Sequence, residues 1–265
     1  MFRVIVGRMR YNIIYKVRWV LVVLVAYSPI FLSTSTAQER RPQYKPYIDL
    51  RPMHFGIHVG FNMQDIEFQN VGPQLIVADD GTEHGETVLC DQDNWNPGFS
   101  VGVLADVRLG KHFSARVSPT MHFGAKHLTF LNLTRRNEDD RPLLQTQDLK
   151  NTYIAFPLSL KFSAERFNNH RPYITAGLNP MINLSGKAQD NIQLKRYDTL
   201  IEVGLGCDFY LPFFKLIPEL KFGYSLIDAI DYNHADELTD VNKRIYSHSV
   251  TPGRSKIITL TFYFE

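Results

Sequence analysis

The chain has 265 residues, with 29 Lys+Arg against 27 Asp+Glu, 44% apolar residues and two cysteines. A mean hydropathy of -0.19 excludes a polytopic helical membrane protein, which needs repeated apolar runs of about 20 residues. The apolar content excludes a disordered chain, two cysteines exclude a disulfide-stapled scaffold, and the near-balanced charge argues against a dedicated nucleic-acid binder.

The charges are unevenly placed. Residues 1–18 carry Arg3, Arg8, Arg10, Lys16 and Arg18 and no acid. An apolar run follows from Trp19 to Leu32, then small residues with Ser35 and Ala37 spaced as at a signal-peptidase site. This order reads as a secretory signal over 1–37, cleaved between Ala37 and Gln38. The run is short and broken by Pro29, which opposes a membrane anchor, and no cysteine at the cleavage point marks a lipoprotein. Removal of the signal leaves 24 cations against 27 acids, a net charge of -3. Residues 38–52 hold Pro42, Pro46 and Pro52 with mixed charges and read as an extended, Pro-rich periplasmic linker.

From residue 53 the dominant signal is alternation with a period of two. Segment 53–63 opposes Phe55, Ile57, Val59 and Phe61 to His54, Gly56, His58 and Gly60. The same contrast recurs over 98–109, 112–124, 153–163, 172–184, 200–210, 214–226 and 255–265. Strands of these lengths exceed the usual five or six residues of a soluble sheet and match the roughly 9–11 that cross a bilayer at a tilt. The connections alternate long and short: 64–96, Gly110 to His112, 131–151, 164–170, 185–198, Leu211 to Phe213 and 227–254. The expectation is therefore an all-β fold over 53–265, an eight-stranded antiparallel up-and-down transmembrane β-barrel of the outer-membrane type, in contact with outer-membrane lipid.

A soluble lipocalin-like cup is the rival reading. Against it, the polar faces carry charges of both signs among many glycines, including Asp106, Arg116, Lys161, Asp208, Lys215 and Glu219, as suits a narrow filled interior. Aromatics also gather at the tight-turn ends (Phe55, Phe113, Phe162, Tyr173, Phe209, Phe213, Phe214 and Phe264), as in an interfacial girdle. The ending Thr-Phe-Tyr-Phe-Glu is similar to the C-terminal signal of outer-membrane barrels, except that Glu265 follows the terminal aromatic.

Motifs that carry chemistry are lacking: there is no Walker loop, nucleophile elbow, HExxH or CxxC. Gly204 and Gly206 lie within a strand and make room. His54 and His58 would stand roughly 13 Å apart on a strand and cannot share a metal. No catalytic, metal or cofactor site is expected. For an enzyme reading, His84, Asp91, or His234 with Asp236 are candidates without a selecting spacing. Cys90 and Cys207 are expected as free thiols. The first long connection carries eight acids and no Lys or Arg, which makes Asp79, Asp80, Glu83, Glu86, Asp91 and Asp93 a candidate outer contact surface for a basic partner or for divalent ions.

The stretches His54 to Asn62, Tyr153 to Lys161 (YIAFPLSLK) and Arg171 to Asn179 (RPYITAGLN), with the closing LTFYFE, resemble the PorT family of Bacteroidetes outer-membrane barrels. Such xxPLxLK and RPYxxxG blocks recur widely among Bacteroidetes barrels. The resemblance implies an accessory or assembly role in the type IX secretion system, which exports proteases and adhesins. Its partners would be other components of that machinery, with no nucleic acid or small-molecule substrate, and it supplies no catalytic residues.

Overall fold

The computed structural model describes residues 43–77, 83–136, 140–185, 191–234 and 241–265. The expected signal segment with Ala37 and Gln38, and the acidic residues Asp79 and Asp80, lie outside the described residues. Twelve strands are present: β1 (Met53–Asn70), β2 (Pro73–Val77), β3 (Glu83–Asn94), β4 (Pro97–Arg108), β5 (Phe113–Val117), β6 (Thr120–Arg136), β7 (Pro142–Ala155), β8 (Leu158–Ser163), β9 (His170–Asn183), β10 (Tyr197–Tyr210), β11 (Lys215–Ser225) and β12 (Val250–Phe264). An α-helix, α1 (Val241–His248), precedes β12.

Eight of these strands close a ring, in the order β10-β11-β12-β1-β4-β5-β8-β9 and back to β10. The expected count of eight is thus corrected to twelve, and the difference has two physical sources. Pro119 and Pro157 lack the N–H a ladder needs, so the expected third segment divides into β5 and β6, and the fourth into the end of β7 and β8. Neighbouring groups bridge the breaks: Val103 N donates to Pro119 O at 3.1 Å, Ser118 N to Pro157 O at 3.2 Å and Phe156 N to Pro180 O at 2.9 Å. The second source is the hairpin β2–β3, which adds to the outer half of β6.

The long connections are therefore shorter than expected. Most of 64–96 and 131–151 is strand, because β1 continues to Asn70, and β6 and β7 run on together with their register intact from Thr120↔Ala155 to Asn132↔Leu143. Within these extensions the pleat continues while its chemistry inverts. Along β1 the outward residues change from Phe61 and Met63 to Asp65 and Glu67, and the inward ones from Asn62 and Gln64 to Ile66 and Phe68. On β7 the outward residues are Thr146, Asp148 and Lys150, with Leu149 buried behind them. Such an inversion marks where the surroundings of the wall change from hydrocarbon to water. Below it, Phe55 to Met63 forms an outward apolar run of roughly 25 Å, the height of a lipid-facing band.

The interior follows the same division. Inside the outer extensions lies an apolar cluster that includes Ile66, Val88, Leu128, Phe130, Ile192, Ile230 and Tyr246. Inside the lipid-facing band the side chains are mostly polar, with small apolar groups around Leu104 and Ile217 and around Met181 and Leu200, and the girdle reading needs one correction. Tyr173 is 4% exposed and points into the lumen, whereas Phe55, Phe113, Phe162, Phe209, Phe214 and Phe264 are on the outer surface and Phe213 is exposed in the β10–β11 turn, off the wall.

A single charge on the wall tests this assignment. Val59→Arg, on the outward face at mid-strand, should cost about 2–4 kcal/mol, read as a lower denaturant midpoint for the barrel refolded in lipid vesicles.

Candidate functional site: a filled lumen and a strapped mouth

The lumen is organised around Arg116 on β5, which is 1% exposed. Its Nη2 donates to Asp106 Oδ2 on β4 at 2.9 Å and its Nη1 to Glu219 Oε2 on β11 at 2.7 Å. The guanidinium also lies over the rings of Tyr173 and Tyr263, at 5.4 and 5.0 Å. The Tyr173 hydroxyl donates to Glu219 Oε2 at 2.5 Å. Nearer the tight turns, Lys161 Nζ donates to both Asp208 oxygens at 2.9 Å. Lys215 Nζ lies 3.3 Å from Asp208 Oδ2 and 2.6 Å from Glu265 Oε2, and Glu265 Oε1 lies 3.2 Å from His54 Nδ1.

His58 sits in a different layer from His54, with its Nε2 3.1 Å from Thr120 Oγ1, so the two fill the lumen separately. Gly102 makes that layer possible: a Cβ there would come within 2.6 Å of the His58 ring and 2.2 Å of Pro119 O. Above it, Asn62 Nδ2 donates to Ser100 Oγ at 2.9 Å, and Ser100 Oγ lies 2.8 Å from His122 Nδ1. The apolar cluster then closes the far end. Side chains thus fill the barrel along its axis, as the narrow bore of eight strands dictates.

The mouth at the tight-turn end is covered by residues 43–52, which fold onto it instead of trailing as a linker. Arg166 in the β8–β9 turn donates to the carbonyls of Tyr44 and Lys45. Asn169 Oδ1 accepts from Tyr44 N at 3.1 Å. Lys45 Nζ donates to Phe213 O in the β10–β11 turn at 2.9 Å, and Arg108 Nη1 at the end of β4 donates to Leu50 O at 3.3 Å. Asp49 accepts from the Tyr210 hydroxyl at 2.5 Å and lies 3.5 and 3.8 Å from the guanidinium groups of Arg166 and Arg171. Lys45 is held at φ 47°, a left-handed conformation that these contacts must impose. Beneath the strap lies a cavity of about 40 Å³ lined by Asp49, His54, Asp106, Lys161 and Lys215, among others, with room for a few waters.

The acidic surface expected on the first long connection is only partly brought together. Glu86 is 5% exposed, 2.6 Å from Arg135 Nε and accepting from Asn132 Nδ2 at 2.8 Å, so it ties β3 to β6 and is withdrawn from the contact surface. Asp91 is exposed and accepts from Gln92 N at 2.9 Å. The side chains of Glu83, His84 and Asp93, and Asp236, lie outside the described residues. His234 is buried. Both cysteines are free, Cys90 in the apolar cap and Cys207 on the wall. Among the described residues no three His, Cys, Asp or Glu side chains converge as a metal site.

Sequence reasoning placed the lumen charges on the correct face, but it missed the strap. Its contacts run to backbone carbonyls and across more than 100 residues of chain, and they leave no local pattern. On the outer side, Asp228 pins the long connection before β12. Burial pushes its carboxyl up, but hydrogen bonds from the Tyr232 hydroxyl (2.5 Å), Gly253 N (2.9 Å) and Ile230 N (3.2 Å) outweigh this and hold it below the usual carboxylate range.

These features define a bacterial outer-membrane barrel, and comparison with known proteins agrees. The model of the outer membrane protein beta-barrel domain matches residues 36–231, and the chain belongs to that family. No curated protein matches the chain. Among solved structures it is similar to the outer membrane protein OprG of Pseudomonas aeruginosa, at 14% identity and a TM-score of 0.42, covering 79% of this chain and 91% of that one. It is also similar to Neisserial surface protein A, at 12% identity and a TM-score of 0.38, covering 80% and 98%. Ail of Yersinia pestis matches at 10% identity and a TM-score of 0.34, covering 81% and 99%.

Two outcomes test the site. Arg116→Ala leaves Asp106 with Lys161 at 4.0 Å and Glu219 with Lys221 at 3.7 Å in place of their close guanidinium partner, and should cost about 3–5 kcal/mol, measured by unfolding in vesicles. Adding Asp106→Asn and Glu219→Gln should restore a large part of that loss. Asp228, whose carboxyl is depressed in the folded state, contributes stability above its unfolded value and loses it as the pH falls through the folded one. Protease cleavage of the β11–β12 connection should therefore rise only under acid, and Asp228→Asn should make it acid-independent.

Proposed function

We propose that the protein is a non-enzymatic outer-membrane barrel that serves as an accessory or assembly component of the type IX secretion system. The observation that supports the non-catalytic part is the lumen itself, whose charged groups pair with one another around Arg116. A barrel of this kind acts through its two ends. The secretion role rests on the resemblance of Tyr153 to Lys161 and Arg171 to Asn179 to the PorT family. In outer-membrane barrels short turns face the periplasm and long loops the exterior. In that orientation residues 1–37 are the removed signal, the strap faces the periplasm and the capped end faces outward. A structural or adhesion barrel is the second reading, favoured by the hairpin β2–β3 and the outer parts of β6 and β7, which extend beyond the lipid-facing band.

Deletion of the gene should leave type IX cargo unexported, with precursors retained in the periplasm and cargo protease activity missing from the medium. Reintroduction of the gene should restore both. A deletion strain that exports its cargo normally rules the secretion role out.

A further inference from the structure

We infer that the strapped mouth is a docking surface for an acidic segment of a periplasmic protein. On residues 43–52 and the tight turns with their adjoining strand ends, Lys45, Arg51, Arg108, Lys111, Arg166 and Arg171 stand against Asp49 and Glu165, while the Glu265 side chain is paired with Lys215 at 2.6 Å. The Lys111–Glu165 pair at 2.7 Å is exposed on both sides, 72% and 55%, and so holds little charge in place. Asp49 is shared between Arg166 and Arg171. The guanidinium groups are otherwise bound to carbonyls: Arg108 to Gly110 O and Leu50 O, and Arg171 to Ala164 O and Lys111 O. Carbonyl contacts orient a guanidinium without cancelling its charge, so the rim keeps a positive potential that steers an acidic partner.

Large apolar side chains stand among these cations. Tyr47 is 76% exposed, Leu50 61% and Phe213 90%. Tyrosine, phenylalanine and arginine together are the composition of an interface core. The position of the patch argues for a polypeptide over a lipid. The strap is fastened to the β8–β9 turn, the β10–β11 turn and the end of β4, so it crosses the opening itself, while the lipid-facing residues lie on the outward side of the strands. The strap is also anchored from beneath, with Arg166 stacked 3.6 Å from the Tyr210 ring, so its outer face is presented in a fixed shape.

The test uses the mature protein in phosphatidylcholine nanodiscs and a fluorescein-labelled poly-L-glutamate peptide, read by anisotropy. The wild type should bind this probe with an affinity that falls as salt rises, and should ignore poly-L-lysine. The triple variant Lys45→Glu, Arg51→Glu, Lys111→Glu, which leaves the Arg108, Arg166 and Arg171 anchors of the strap in place, should lose about tenfold or more in affinity while keeping its heat-modifiable gel shift. The control Arg136→Glu, Lys150→Glu, at the opposite end of the barrel, should bind as the wild type does. Equal binding by the triple variant, or an equal loss in the control, overturns the inference. So does native mass spectrometry in which phosphatidylglycerol retention, and not peptide binding, depends on the three cations. That result assigns the patch to lipid headgroups. None of these outcomes depends on type IX cargo export, so the secretion reading stands or falls separately.

Discussion

The placement of charge in the lumen is the constraint on which the rest of the structure depends. Outward residues of the wall meet hydrocarbon, so every ionisable side chain in the membrane-spanning layer must turn inward and find a partner there. Arg116, Lys161, Lys215 and Lys221 answer to Asp106, Asp208, Glu219, Glu202 and Glu265 through pairs of 2.6 to 4.0 Å. The partners come from β4, β5, β8, β10, β11 and the chain end, and three of the pairs, Arg116–Glu219, Lys161–Asp106 and Lys161–Asp208, join strands that are not adjacent in the ring. That network fixes the cross-section.

The two ends are closed by different physics. The outer end uses apolar packing, because strands that leave the bilayer can expose polar residues and bury Leu128, Phe130 and Ile66. The tight-turn end uses a segment from outside the barrel, held by hydrogen bonds and by the Arg166–Tyr210 stack. The second closure leaves uncompensated charge and apolar side chains facing away from the bilayer, and the proposed interaction surface lies there.

The wall was legible in the sequence because its signal is local. Alternation over 53–63 or 200–210 is a direct projection of the pleat onto two unlike surroundings. The same rule explains the misplaced strand ends. Beyond Gln64 the outside becomes water and the inside apolar, so Asp65, Ile66, Glu67 and Phe68 alternate in the opposite phase. The one-phase pattern ends there, and the residues beyond it read as a loop. Glu86 shows a second limit: a run of eight acids with no base reads as a solvated surface, yet the cation that neutralises Glu86, Arg135, lies on another strand. The strap is a third case, since carbonyl acceptors are the same at every residue and no sequence pattern marks them.

Glu265 joins these threads. At the end of β12, Thr259, Thr261 and Tyr263 point inward, and Leu260 and Phe264 outward. The next position therefore belongs to the lumen, at the level where Lys215 and His54 lie. An apolar residue there would leave the Lys215 ammonium to Asp208 alone, which Lys161 already holds. The backbone agrees: Lys215 and Glu265 exchange N–H···O bonds of 2.9 and 3.0 Å, extending the β11–β12 ladder one residue past Phe264. The apparent departure from an aromatic ending is thus the interior charge balance reaching the last residue of the wall. The aromatic that the bilayer interface requires sits one position earlier, where the pleat turns it outward.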